Sequence, residues 1–237
     1  MKIHHLVLVF MCAPTITSPL ALSQQTTQIR PTNTVLLHIL PTQTNKHHGV
    51  PAVAWLEPMA GTPSLPFPAS AHYTLLQKNR TFFPHLQVVP VGSIVQFPNA
   101  DPFFHNVFSL FDGKRFDLGL YEAGSSKAVT FSREGVSYIF CNIHPEMSAV
   151  ILSLSTPLFA FADANDSIVL PKVPAGTYKL QVWVEGAPQS LLAGLSRTVH
   201  VADGPVDLGE IKVPLGPPMT HDNKFGKPYD PVKTSRY

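Results

Sequence analysis

The octapeptide Phe140-Cys141-Asn142-Ile143-His144-Pro145-Glu146-Met147 places a thiol, an imidazole and a thioether at Cys-x2-His-x2-Met spacing within one short loop. Gly135-Val136-Ser137-Tyr138-Ile139-Phe140 runs into it with the aromatic and β-branched content of a strand. Alternation along that strand puts Ile139 and Cys141 on one face, so the thiol points into an apolar layer. Met147 then opens Ser148–Leu154, a second apolar run bordering the same layer. Upstream, His105 follows Asn99-Ala100-Asp101 and leads into a further strand, Val107–Phe111. A soft thiolate, borderline imidazoles and a weak thioether together suit copper better than zinc, calcium or magnesium. His105, Cys141 and His144 as strong ligands, with Met147 as a distant fourth, make an electron-transfer copper site.

Taken singly, these residues have plainer readings. A lone cysteine is most often a small buried hydrophobe, and a lone histidine a core or surface residue. What outweighs them is coincidence: the ligand spacing, the strand that feeds the loop, and the upstream histidine set between a turn and a strand. Cysteine arithmetic agrees. Of the two cysteines, Cys12 lies in a segment expected to be cleaved, so Cys141 has no partner for an internal disulfide and is a candidate ligand.

Residues 1–23 read as a secretory signal peptide, with Lys2 as a basic start, Leu6–Met11 as the apolar run and Ala21-Leu22-Ser23 as a small-x-small cleavage site. The run is too short to span a bilayer, and bulky Met11 argues against a lipid-modified Cys12. The expected location is the periplasm. With 44% hydrophobic and 14% charged residues and 24 prolines, the 237-residue chain suits short strands rather than helices. A formal charge of +2, about +1 without Lys2, gives no reason to expect nucleic acid or membrane insertion.

Thr34–Leu40 and Val50–Leu56 read as strands around a polar turn whose His47 and His48 are surface residues, and Gly61–Pro68 as a proline-rich loop. Leu86–Val91 and Ser93–Phe97 bring the chain to the first ligand; His85, at a strand start, has a structural role. Asp112-Gly113 forms a hairpin turn, and Arg115–Tyr121 and Gly124–Phe131 lead back to the ligand strand. Phe159–Ala162, Ser167–Leu170, Tyr178–Val184, Arg197–Val201 and Val206–Val213 form a second set of strands. Asp163 and Asp166 are turn residues rather than a calcium site. The domains expected are 24–154 for the copper unit and 155–215 for a smaller β unit, with 216–237 a mobile, proline-rich tail in which His221 is solvated.

At its four ligand positions the chain resembles the cupredoxins, with the short loop of the amicyanin and pseudoazurin type. Phe-His105-Asn106-Val-Phe-Ser-Leu, Arg115-Phe-Asp-Leu-Gly-Leu-Tyr121 and Phe140-Cys141-Asn142-Ile143-His144-Pro145 together resemble bacterial periplasmic methylamine-utilisation-like, plastocyanin-like cupredoxins. Asp163–Tyr178 resembles a carboxypeptidase regulatory-like (transthyretin-like) domain, with Asp166 where that family usually has Gly. The fold implied is all-β: a Greek-key cupredoxin β-sandwich followed by a smaller transthyretin-like β-sandwich. The resemblance gives Asn106 the task of tying the two ligand segments together. Many cupredoxins have Ser or Thr after the Cys and Pro before the His, where this chain has Asn142 and Ile143. Ile143 keeps an N–H that can reach the Cys141 sulfur, draw charge from it and raise the potential.

These features imply a one-electron carrier holding one type 1 copper that shuttles between Cu(I) and Cu(II). His144, whose ring edge is expected to meet solvent on the loop, and Pro145 are the electron port, where transient protein redox partners dock through a small patch. Phe140 and Asn142 flank Cys141, so there is no adjacent histidine to relay electrons to a second copper, and no enzyme activity is expected. Copper delivery or buffering is the alternative, although the five methionines are dispersed rather than clustered.

Overall fold

A computed structural model describes residues 33–42, 49–110, 113–216 and 221–229. The expected signal peptide, Cys12, the expected His47-His48 turn and Asp112 lie outside the described residues. Strands dominate. The first two are β1 (Asn33–Thr42) and β2 (Ala52–Pro58). Next come β3 (Tyr73–Thr74), β4 (Leu76–Lys78), β5 (Thr81–Phe83), β6 (Leu86–Pro90), β7 (Ile94–Pro98), β8 (His105–Ser109) and β9 (Phe116–Tyr121). β10 (Ser126–Thr130), β11 (Gly135–Phe140) and β12 (Ser148–Leu154) complete the ligand-bearing part. β13 (Phe159–Phe161), β14 (Ser167–Val173), β15 (Gly176–Val184), a single turn α1 (Gln189–Gly194), β16 (Arg197–Val201) and β17 (Val206–Pro214) follow.

One sandwich faces the sheet β10-β7-β3 against the five-stranded sheet β6-β12-β11-β8-β9. Its core holds Phe82, Val89, Val95, Phe97, Val107, Phe131, Ile139, Ala149 and Ile151, together with Cys141 and Met147. The other combines the sheets β14-β1-β17 and β13-β2-β15-β16 around a core that includes Val35, Leu37, Ile39, Leu56, Leu180 and Val182.

The N-terminal part of the expected 24–154 unit pairs elsewhere. β1 lies between β14 (antiparallel) and β17 (parallel), and β2 between β13 and β15. Residues 33–58 therefore belong to the sheets of 155–215, and the ligand-bearing sandwich is inserted between them. β1 alternates buried and half-buried along its whole length, which identifies a strand and its inward face but carries no information about its partner.

The two cores share a sheet. Val88, Val150, Leu152 and Leu154 face the second core, while Val89, Ala149 and Ile151 face the first. β12 is accordingly buried at every position after Ser148 and reads as a continuous apolar run. Trp183 Nε1 donates to the Tyr138 hydroxyl at 3.2 Å across this seam. His85 Nδ1 sits 3.1 Å from the Ser148 carbonyl and Nε2 2.6 Å from Glu185 Oε1, so His85 joins β12 to the end of β15. The strands on either side of the ligand loop are thus packed from both faces.

Asp166 adopts φ +62°, a left-handed turn conformation that Asp tolerates. It is also buried, and its Oδ1 accepts the N–H groups of Gly49 (2.9 Å) and Val50 (3.2 Å). Asp163 Oδ1 caps the same turn by accepting from Asn165 and Ser167.

Candidate metal centre

β8 delivers His105 and the loop after β11 delivers Cys141 and His144, because the antiparallel pairing Phe140↔Phe108 sets the ends of those two strands side by side. Cys141 Sγ lies 3.7 Å from His105 Nδ1 and 3.5 Å from His144 Nδ1, and the two Nδ1 atoms are 3.1 Å apart. Metal–nitrogen bonds of about 2.0–2.1 Å and a metal–sulfur bond of about 2.3 Å, at angles of roughly 100–120°, give edges of about 3.1–3.8 Å. The triangle therefore fits one ion. It is the one such cluster of metal-binding side chains among the described residues. Relative exposure is 0% for His105 and Cys141 and 2% for His144.

Each ligand is prepared by its neighbours. Asp101 Oδ2 accepts from His105 Nε2 at 2.8 Å, which fixes the proton on Nε2 and leaves the Nδ1 lone pair for a metal. Asp101 is itself held by the N–H groups of Asn79 (2.6 Å) and Arg80 (3.0 Å). Burial opposes its ionisation, but these donors outweigh burial and hold its pKa below the usual value. Burial pushes the Cys141 thiol pKa up, opposed by the neighbouring backbone N–H groups of Asn106, Ile143 and His144. Desolvation lowers the pKa of His105, and desolvation followed by repulsion from His105 lowers that of His144 to about 4. Neutral imidazoles and a thiolate are the protonation states a metal selects.

Met147 is fully buried in the same core, its N–H bonded to the His144 carbonyl (3.0 Å) and its carbonyl accepting from Cys141 N (3.3 Å). Asn106 Nδ2 donates to Asp117 Oδ1 at 2.7 Å, and Asn142 Oδ1 accepts from the Lys224 N–H at 2.9 Å.

Two expectations are corrected. The His144 ring edge does not meet solvent: its Nε2 is buried without a hydrogen-bond partner, and the Phe103 ring packs on both imidazoles, at 5.2 Å from His105 and 5.6 Å from His144. Pro145 remains exposed. Residues 221–229, expected to be part of a mobile tail, lie across the ligand loop, whereas 217–220 and 230–237 are outside the described residues. Tyr229 donates its hydroxyl to the Cys141 carbonyl at 2.8 Å, and His221 stacks on Phe140 with centroids 3.9 Å apart. Desolvation, then the neighbouring Cys141, raises the Tyr229 pKa, so its hydroxyl stays a donor. Asp101, Phe103, His221 and Tyr229 are the residues missed from sequence. Of these, only Asp101 left a signal, in the Asn-x-Asp turn before His105.

No protein-family model matches the chain, and no curated protein does. Solved structures similar to part of it include a purple cupredoxin from Nitrosopumilus maritimus, 22% identical over 35% of this chain and 99% of its own, with TM-score 0.32. Amicyanin in a Cu(I) form is 17% identical over 43% of this chain and 98% of its own, with TM-score 0.34. A copper-containing nitrite reductase from Thermus scotoductus SA-01 is 23% identical over 40% of this chain but only 24% of its own, with TM-score 0.33.

Proposed function

We propose that the protein is an exported, mononuclear type 1 copper protein that carries one electron at a time between transient protein partners. The observation that carries this reading is the buried triangle of two imidazole Nδ1 atoms and one thiol sulfur, with edges of 3.1–3.7 Å. Bound copper would supply a single reversible electron. The chain does the rest: His105, Cys141 and His144 hold the ion, with buried Met147 as the weak fourth ligand.

Fast transfer requires that both oxidation states share nearly one geometry. Asp101 fixes the His105 ring, and strands packed on both faces fix the loop ends. Phe103 keeps water from the imidazoles. The burial of all three strong ligands supports the reading as a carrier. Electrons enter and leave beside buried His144 at exposed Pro145, where a partner docks. The second sandwich acts as a non-catalytic module.

The alternative, copper delivery or buffering, needs accessible ligands that surrender the ion. The two readings separate when the copper-loaded protein is cycled between ascorbate and ferricyanide in the presence of a copper chelator. A carrier bleaches and recovers its visible band repeatedly while keeping its metal. Loss of copper to the chelator without redox cycling would identify the handling protein instead.

A further inference from the structure

We propose that residues 221–229 are a working part of the metal centre, with Tyr229 and His221 as positioning residues that hold the ligand loop and set how firmly it keeps its metal; the metal half of this rests on the type 1 copper reading. The loop has few bonds of its own: Met147 N to the His144 carbonyl at 3.0 Å and a longer one, 3.3 Å, from Cys141 N to the Met147 carbonyl. The carbonyls of Cys141 and Pro145 instead accept from outside. Tyr229 supplies its hydroxyl to the first at 2.8 Å, and His221 Nε2 lies 2.9 Å from the second. One is the carbonyl of a ligand and the other follows a ligand directly, so the two contacts bracket the Cys141–His144 pair.

Further contacts order the segment and fix it in place. The His221 ring lies on Phe140 at an interplanar angle of 22°, and the Tyr229 ring packs edge-on to His221 at 5.3 Å. Lys224 donates its N–H to Asn142 Oδ1 and pairs through Nζ with Asp117 Oδ2 at 2.7 Å. The other Asp117 oxygen holds Asn106, the neighbour of His105. One segment thus spans both pieces of chain that supply ligands. A hydrogen bond to a carbonyl beside a ligand restrains the peptide plane that aims it, as the supporting shell of any metal site does. This gives the proline-rich C-terminal stretch a task that a solvated tail would lack.

The test uses full-length protein with Tyr229→Phe, His221→Ala and the double substitution. In metal-free protein, amide hydrogen exchange is followed at Cys141 and Met147, with the amides of β15 as internal reference. In the copper form, release to a chelator and the reduction potential are measured. The double variant is expected to exchange the two loop amides about tenfold faster, to release copper about tenfold faster, and to shift the potential, with β15 unchanged. Tyr229→Phe alone, which keeps the ring, is expected to show part of each effect. Loop exchange and copper release equal to the unsubstituted protein would overturn the proposal, as would acceleration that includes β15. If the unsubstituted protein forms no thiolate-to-copper band, the copper reading fails; faster loop exchange in the metal-free variants would then still support the positioning role.

Discussion

Replacing Asp101 by Asn changes one atom at the support of the first ligand, and the structure fixes what that atom does. Asp101 Oδ1 accepts from Asn79 N, while Oδ2 accepts from both Arg80 N and His105 Nε2. An amide nitrogen cannot accept. The gentler orientation of the substituted side chain would sacrifice the Asn79 bond and reduce the other two from charge-assisted to neutral; the opposite one would strand Arg80 and His105 together. Hydrogen bonds to a charged group are worth about 1.5–3 kcal/mol and neutral ones about 0.5–1.5 kcal/mol. Release of a carboxylate only 5% exposed returns part of that sum. The expected net loss is about 2–3 kcal/mol in the stability of the metal-free protein. With the His105 ring less firmly held, copper affinity should also fall by about 10–100-fold. Urea unfolding of the metal-free protein and competition against a calibrated chelator measure the two. Stability within about 0.5 kcal/mol of the unsubstituted protein, together with unchanged affinity, would show that Asp101 does not orient His105.

Met147→Leu conserves volume in a full core, so stability should change by less than about 1.5 kcal/mol while copper is retained and the potential shifts; loss of all copper would refute Met147 as a weak axial ligand. Ile143→Pro removes a backbone N–H that favours the charged form of Cys141, and the reduction potential measured by voltammetry should fall; an unchanged or higher potential would contradict this. His85 has a raised pKa because it is bonded to Glu185, so its contribution to stability is complete below about pH 6.5 and is lost as pH rises through the higher folded value. The difference in Tm between the unsubstituted protein and Glu185→Gln should therefore narrow on going from acid to alkaline pH, and a difference that widens would refute the assignment.

The ligand loop was legible because its information is local. Cys141, His144 and Met147 lie within seven consecutive residues, and the strand before them announces its inward face by alternation. Strand positions were legible for the same reason, since β11, β12 and β16 lie where the apolar runs place them. Partnership was not. Val35, Leu37 and Ile39 show that β1 has an inward face, but its neighbours β14 and β17 lie more than a hundred residues away. The C-terminal segment misled through composition: its prolines, lysines and glycine describe a backbone unfit for regular structure, yet individual side chains anchor it. The cover over His144 comes from Phe103, whose sequence neighbours carry no sign that its ring reaches both imidazoles.

The central claim is that His105, Cys141 and His144 bind one copper ion through the thiolate. Titrating copper into the purified protein, while recording absorption and electron paramagnetic resonance beside a Cys141→Ser variant, tests it most directly. The account predicts an intense visible band that saturates at one copper per chain and is absent from the variant. A protein that binds copper without that band, or a band that survives in Cys141→Ser, would contradict it.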